Sequence, residues 1–166
     1  MTPVAGMLLA VGLRASVRVV VSESDTAAAL GSGDVLVLGT PRLLALAEAA
    51  TVAAVAPQLA PGDTTVGTSV TMEHRRASPV GSSLVIEAEL TEVDGPRLVF
   101  SFIAREEHPR ARPPGAQAPG AQAPGAQAPG AGPPGGDERV VGAGTVTLHV
   151  AEGDVVQEGD LIADVG

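Results

Sequence analysis

The stretch from position 39 to 58, GTPRLLALAEAATVAAVAPQ, constrains what this chain can fold into more than any other. Between positions 43 and 55 it is apolar all round except for Glu48 and Thr51. A helix without a polar face is either buried in a larger core or spans a membrane. Spanning takes about 20 unbroken apolar residues, and here Arg42, Glu48 and Pro57 interrupt a shorter run. The reading is a helix wrapped by the rest of the chain, with one carboxylate inside it. Thr40 is expected as its N-cap and Pro41 at the first helical position, where the missing N–H costs nothing. Pro57 and the Pro61-Gly62 pair end it. A buried glutamate is rare unless it is paired or chemically used, so Glu48 is the first candidate site residue.

The segments around this helix alternate with the period of strands. Residues 15–21 place Ala15, Val17, Val19 and Val21 on one face. Residues 23–33 suggest a short helix closed by glycine, and 34–38 a brief apolar connector. In 66–76 one face carries Val66, Thr68, Val70, Met72 and His74, which predicts that His74 points at the helix. Residues 83–91 and 97–105 alternate likewise, joined by the hairpin signal Asp94-Gly95. A last strand is predicted over 139–150. One buried and one solvated face suit an antiparallel sheet, so the fold class is α+β with the helix packed on the sheet.

Residues 107–137 are low-complexity and read GAQAP three times over within 115–129. A period of five excludes collagen, which needs glycine at every third position. Such a composition cannot bury a core, so it is expected as a disordered insert in a hairpin position. Residues 1–13 are read as a lead-in, 14–150 as the domain and 151–166 as a tail. The lead-in has no basic region before its short apolar run, so a cytoplasmic protein is expected.

Composition narrows the chemistry. The chain has no cysteine, which excludes disulfides and thiolate metal sites. Its three histidines are scattered and show no ligand spacing, so no metal is expected. A formal net charge of −9 and two aromatics argue against nucleic-acid partners. His108 and His149 are expected at the surface.

From position 13 to 150, insert excluded, the chain resembles the hotdog-fold thioesterases of the fluoroacetyl-CoA thioesterase-like family. The matching stretches are GTPRLLALAEAATVAAVAPQLAPG, VGTSVTMEHRRASPVG, LTEVDGPRLVFSFIARE and RVVGAGTVTL, in that order. The resemblance implies a threonine before the helix, a glutamate eight positions on and a histidine on the next strand. Here these are Thr40, Glu48 and His74. It further implies a cytoplasmic homodimer or higher oligomer that hydrolyses an acyl-CoA thioester, with coenzyme A as part of the substrate and no other cofactor. Gly67, Arg75 and Arg76 are the substrate-binding candidates, the arginines for coenzyme A phosphates. The fluoroacetyl-specific member carries phenylalanines before its threonine, and residues 23–39 here have no aromatic. The tail resembles the closing hairpin of biotinyl/lipoyl carriers, but no lysine is present to carry the group.

Blander roles stand beside these. Thr40 can be a plain cap, Glu48 a structural partner of Arg42 or Arg76, His74 a core histidine, and the arginine doublet a solvated pair. A non-catalytic acyl-CoA-binding or interaction module is the alternative function. Eight residues of helix separate Thr40 and Glu48 by about 12 Å along the axis, beyond hydrogen-bond reach. Either the helix starts late, or substrate spans the gap, or two protomers each contribute part of the site, and the last is the expected arrangement.

Overall fold

The computed structural model describes residues 9–107 and 139–152. Most of the lead-in, the repeat tract with His108, and the tail beyond Glu152 lie outside the described residues.

Five strands form one antiparallel sheet: β1 (Arg14–Val20), β2 (Asp63–His74), β3 (Ser83–Asp94), β4 (Arg97–Glu107) and β5 (Val140–Glu152). Their order is β1-β3-β4-β5-β2, which leaves β1 and β2 at the edges. Between β1 and β2 come a 3₁₀ turn (Glu23–Asp25), a one-turn helix α1 (Ala27–Leu30) and the long helix α2 (Thr40–Val55). A further 3₁₀ turn, Ala56–Gln58, extends α2 before Gly62 turns the chain at φ 90°. Gly95, at φ 55°, closes the predicted β3–β4 hairpin.

The alternation predicts the inner face correctly over most of the sheet. Leu84, Ile86, Leu90, Leu98, Phe100, Phe102, Val146 and Leu148 are buried beneath α2, so both aromatics are core. Leu43, Leu46, Ala47, Ala50, Thr51, Ala54 and Val55 answer them from the helix. Gly142 makes room for the fully buried Leu43, because a Cβ there would lie 2.9 Å from Leu43 Cδ2.

Two expectations need correction. The helix is not wrapped all round: Ala45, Ala49, Val52 and Ala53 are exposed, because a single five-stranded sheet covers one side only. The second concerns β2. Its register against β5 slips between Gly67 and Ser69, so Thr68 is an extra, bulged residue. A bulge reverses which residues face the core. Val70, Met72 and His74 oppose Val146, Gly144 and Gly142 on the helix side, as predicted. Beyond the bulge Gly67, opposite Leu148, faces inward and Val66 faces out.

Candidate active site

Gly39, not Thr40, is the N-cap of α2. It holds φ −74° and ψ 142°, and its carbonyl accepts from the amides of Arg42 and Leu43 at 3.0 and 3.1 Å. Glycine suits this position because a Cβ would come within 2.9 Å of Leu30 Cδ1 and 3.2 Å of Ala27 Cα. Thr40 is therefore the first helical residue with Pro41 second, and its hydroxyl is released from capping. That hydroxyl lies 2.9 Å from Nδ1 of His74.

His74 reaches this point as the last residue of β2, on the face the alternation predicts. Burial lowers its pKa below the ordinary imidazole value, with the Arg76 backbone acting the other way. The ring is consequently neutral at neutral pH. In the Nε2–H tautomer Nδ1 accepts the Thr40 proton, the arrangement of a nucleophile beside its base. Nε2 is buried and has no hydrogen-bond partner among the described residues.

The pair lines a cleft of about 300 Å³ whose other walls include Ala27, Val35, Val37, Leu38 and Ala77. Arg75 and Arg76 also border it. Arg75 is held by Glu73, Nη2 to Oε2 at 2.7 Å.

Glu48 lies elsewhere within the chain. It is half-buried, and its carboxylate sits directly over Gly67, where any Cβ would collide with Oε1. The β2 bulge thus presents a glycine to the one glutamate of α2. Gly67 and His74 pair with Leu148 and Gly142, six positions apart on β5, which is roughly 20 Å at the usual strand rise. The structure therefore brings together Thr40 with His74 and Glu48 with Gly67, but not Glu48 with His74 of the same chain. Nor does Arg42 serve Glu48: its Nε binds Asp25 Oδ1 at 2.7 Å.

Asp25 is the residue that sequence reasoning passed over. The carboxylate is buried, and Oδ2 accepts from the backbone N and Oγ of Ser22, both at 2.8 Å. Burial pushes its pKa up, but the Ser22 bonds and the Arg42 guanidinium outweigh it and hold the pKa below the ordinary aspartate value. The Ser-x-x-Asp spacing from Ser22, a capping-box pattern, was the available signal.

Among the described residues no group of His, Asp and Glu could hold a metal ion. No helix among them is long and apolar enough to cross a membrane.

An antiparallel sheet with one long helix across it is shared with solved hotdog proteins. A hot-dog-like protein from Thermanaerovibrio acidaminovorans matches with TM-score 0.63 at 17% identity, over 87% of this chain and 84% of that one. A thioesterase superfamily member from Thermus thermophilus gives 0.65 at 18% identity, over 88% and 86%. The fold is the hotdog fold. Residues 21–110 match the fluoroacetyl-CoA-specific thioesterase family, and the chain belongs to it. A fluoroacetyl-CoA thioesterase of that family gives TM-score 0.65 at 24% identity, over 88% of this chain and 90% of that one. The fluoroacetyl-CoA thioesterase of Streptantibioticus cattleyicolor is 37% identical over 70 residues, 42% of this chain. The chain thus spans half the length of that curated relative.

Proposed function

We propose that the chain is an acyl-CoA thioesterase that converts the thioester of a small acyl group to the free acid and coenzyme A. The observation that carries this reading is the hydroxyl–imidazole pair, Thr40 Oγ1 to His74 Nδ1 at 2.9 Å, in a cleft with aliphatic walls. His74 takes the hydroxyl proton as Oγ1 attacks the thioester carbonyl carbon. The resulting oxyanion develops at the positive end of the α2 dipole, which favours negative charge there. Collapse breaks the C–S bond, and the departing thiolate takes the proton from the imidazole. Water, deprotonated by the same ring, attacks the acyl carbon; the bond to Thr40 Oγ1 then breaks, Oγ1 takes the proton back from the imidazole, and the acid leaves.

Glu48 enters this scheme from a second copy. A homodimer is supported by the long outer edge of β2, by the exposed alanine face of α2, and by the unpartnered Nε2 of His74. Long open edges and apolar faces are surfaces that native proteins cover. In the dimer, Glu48 of the partner subunit orients or replenishes His74, and Gly67 leaves room for that carboxylate. Arg75 and Arg76 are read as local attraction for the coenzyme A phosphates on an otherwise acidic protein. The substrate supplies coenzyme A and no other cofactor is called for; the protein works in the cytoplasm, without nucleic-acid or membrane partners. The low-complexity tract 107–137 is read as an insert between β4 and β5, and residues 151–166 as an appended tail.

Thiol release across a panel of short acyl-CoAs tests the reading. Glu48→Gln and His74→Ala are each expected to be inactive. Co-expressed, they should regain about a quarter of wild-type turnover, because half the dimers then hold one intact site of two. No recovery above the parents would overturn the shared site. No turnover by wild type, with acyl-CoA still bound, would instead make the chain a binding module.

A further inference from the structure

The chemistry proposed above leaves one ion pair unused, between the buried Asp25 carboxylate and the half-exposed Arg42, at the base of the segment before α2. Asp25 is 8% exposed and both of its carboxylate oxygens are engaged, Oδ2 by Ser22 and Oδ1 by Arg42. Its own carbonyl accepts from the Gly39 amide at 2.9 Å. Gly39 precedes Thr40 by one residue and Arg42 follows it by two, so Asp25 grips the helix start on both sides of the hydroxyl.

Asp25 also stands at the neck of an excursion. Thr26 and Leu38 form an isolated bridge just beyond it, and the Ala27 amide donates to Val37 O at 2.9 Å. Between these ends the chain folds back as a strap, residues 26–38, whose Val35, Val37 and Leu38 wall the cleft over His74. Val37 is bridged to Pro79, and the Leu38 amide donates to Ser78 O at 2.8 Å. One carboxylate therefore ties the strap's base to the helix that carries the reacting hydroxyl.

We propose that Asp25, acting through Arg42 and the Gly39 amide, is a positioning residue that sets the Thr40 hydroxyl against His74 and seats the strap over the cleft. The assignment rests on the thioesterase reading. Hydrogen bonds between charged partners are directional and strong, and small misplacements of a reacting group cost rate more than binding.

The test is Asp25→Asn beside the double variant Asp25→Asn/Arg42→Gln, with kcat, KM, Tm and the NMR titration of the histidine rings. Removing one member of a buried pair leaves the other uncompensated, whereas removing both is often near neutral for stability. Asp25→Asn should lower kcat about ten-fold or more and change KM by less than about three-fold. The double variant should regain the wild-type Tm but not kcat. In both, His74 should titrate at a higher pH than in wild type as its surroundings become wetter. Recovery of kcat together with Tm would mark the pair as merely structural and overturn the assignment. A His74 titration unchanged in both variants would overturn it too. If Asp25→Asn does not fold, the double variant decides alone. If wild type shows no turnover, the thioesterase reading falls while the His74 titration still decides whether Asp25 sets the imidazole's surroundings.

Discussion

A threonine hydroxyl 2.9 Å from an imidazole nitrogen is activated only while the ring is neutral. Burial secures that state in His74 by disfavouring the charged form, so its pKa lies below the ordinary value. The sign of the pH dependence follows. Above the lowered pKa the ring can accept the Thr40 proton; below it the ring is already protonated and cannot. A plot of kcat/KM against pH should therefore fall on its acid side only below about 6.5, the unperturbed imidazole value. An acid limb at or above that value would contradict the burial of the ring. At Gly67 the expectation is steric. Gly67→Ala places a methyl group in the Glu48 carboxylate, which must swing away. Turnover should drop at least about ten-fold while stability changes by about 1–3 kcal/mol, the usual range for overpacking. Equal turnover in wild type and Gly67→Ala would remove Glu48 from the site.

At the scale of elements, α2 and β2 carry the proposed site, and each is legible in part. The period of two places His74 on the helix side because strand faces are a local property of the sequence. The bulge at Thr68 is not local: it is defined by the register against β5, some 80 positions later, so Gly67 could not be seen to turn inward. The cap of α2 was misread because Gly39 and Thr40 are both acceptable there, and crowding by Leu30 and Ala27 decides between them. The all-apolar helix pattern reads as full burial, yet alanines tolerate exposure, and one sheet leaves them uncovered. The Asp25–Arg42 pair joins elements 17 positions apart, and charge spacing at that range carries no pattern. The pair has a consequence for acid stability. Asp25 has a folded pKa below its unfolded one, so its contribution is complete above about pH 4 and is lost as pH falls through the lower folded value. Wild type should lose more stability than Asp25→Asn/Arg42→Gln between about pH 4 and 2 in urea melts. Parallel loss in the two proteins would show that Asp25 is not the responsible group.

For the whole molecule, the ends of the repeat tract meet. The Glu106 amide donates to Arg139 O at 2.9 Å, and β4 pairs with β5 antiparallel. A tract entering and leaving at one place is carried at little cost, because closure entropy changes by only about 0.6 kcal/mol per doubling of loop length. Replacing residues 109–136 by a four-residue turn is about three halvings, and should raise stability by about 2 kcal/mol with unfolding still cooperative. Broad or biphasic denaturation of that variant would show that the tract belongs to the core. The sheet order was not predicted from sequence, since alternation reveals faces but not neighbours.

The strand order β1-β3-β4-β5-β2 also governs when the parts can come together. Among the described residues, β2 has only β5 as a neighbour, although some 65 positions of chain separate them. On the ribosome, a nascent chain that has reached the end of β4 can already pair three strands, but β2 must wait. The imidazole at its tip is thus docked only after β5 emerges, so among the described residues the cleft it lines is assembled later than the three-stranded part of the sheet.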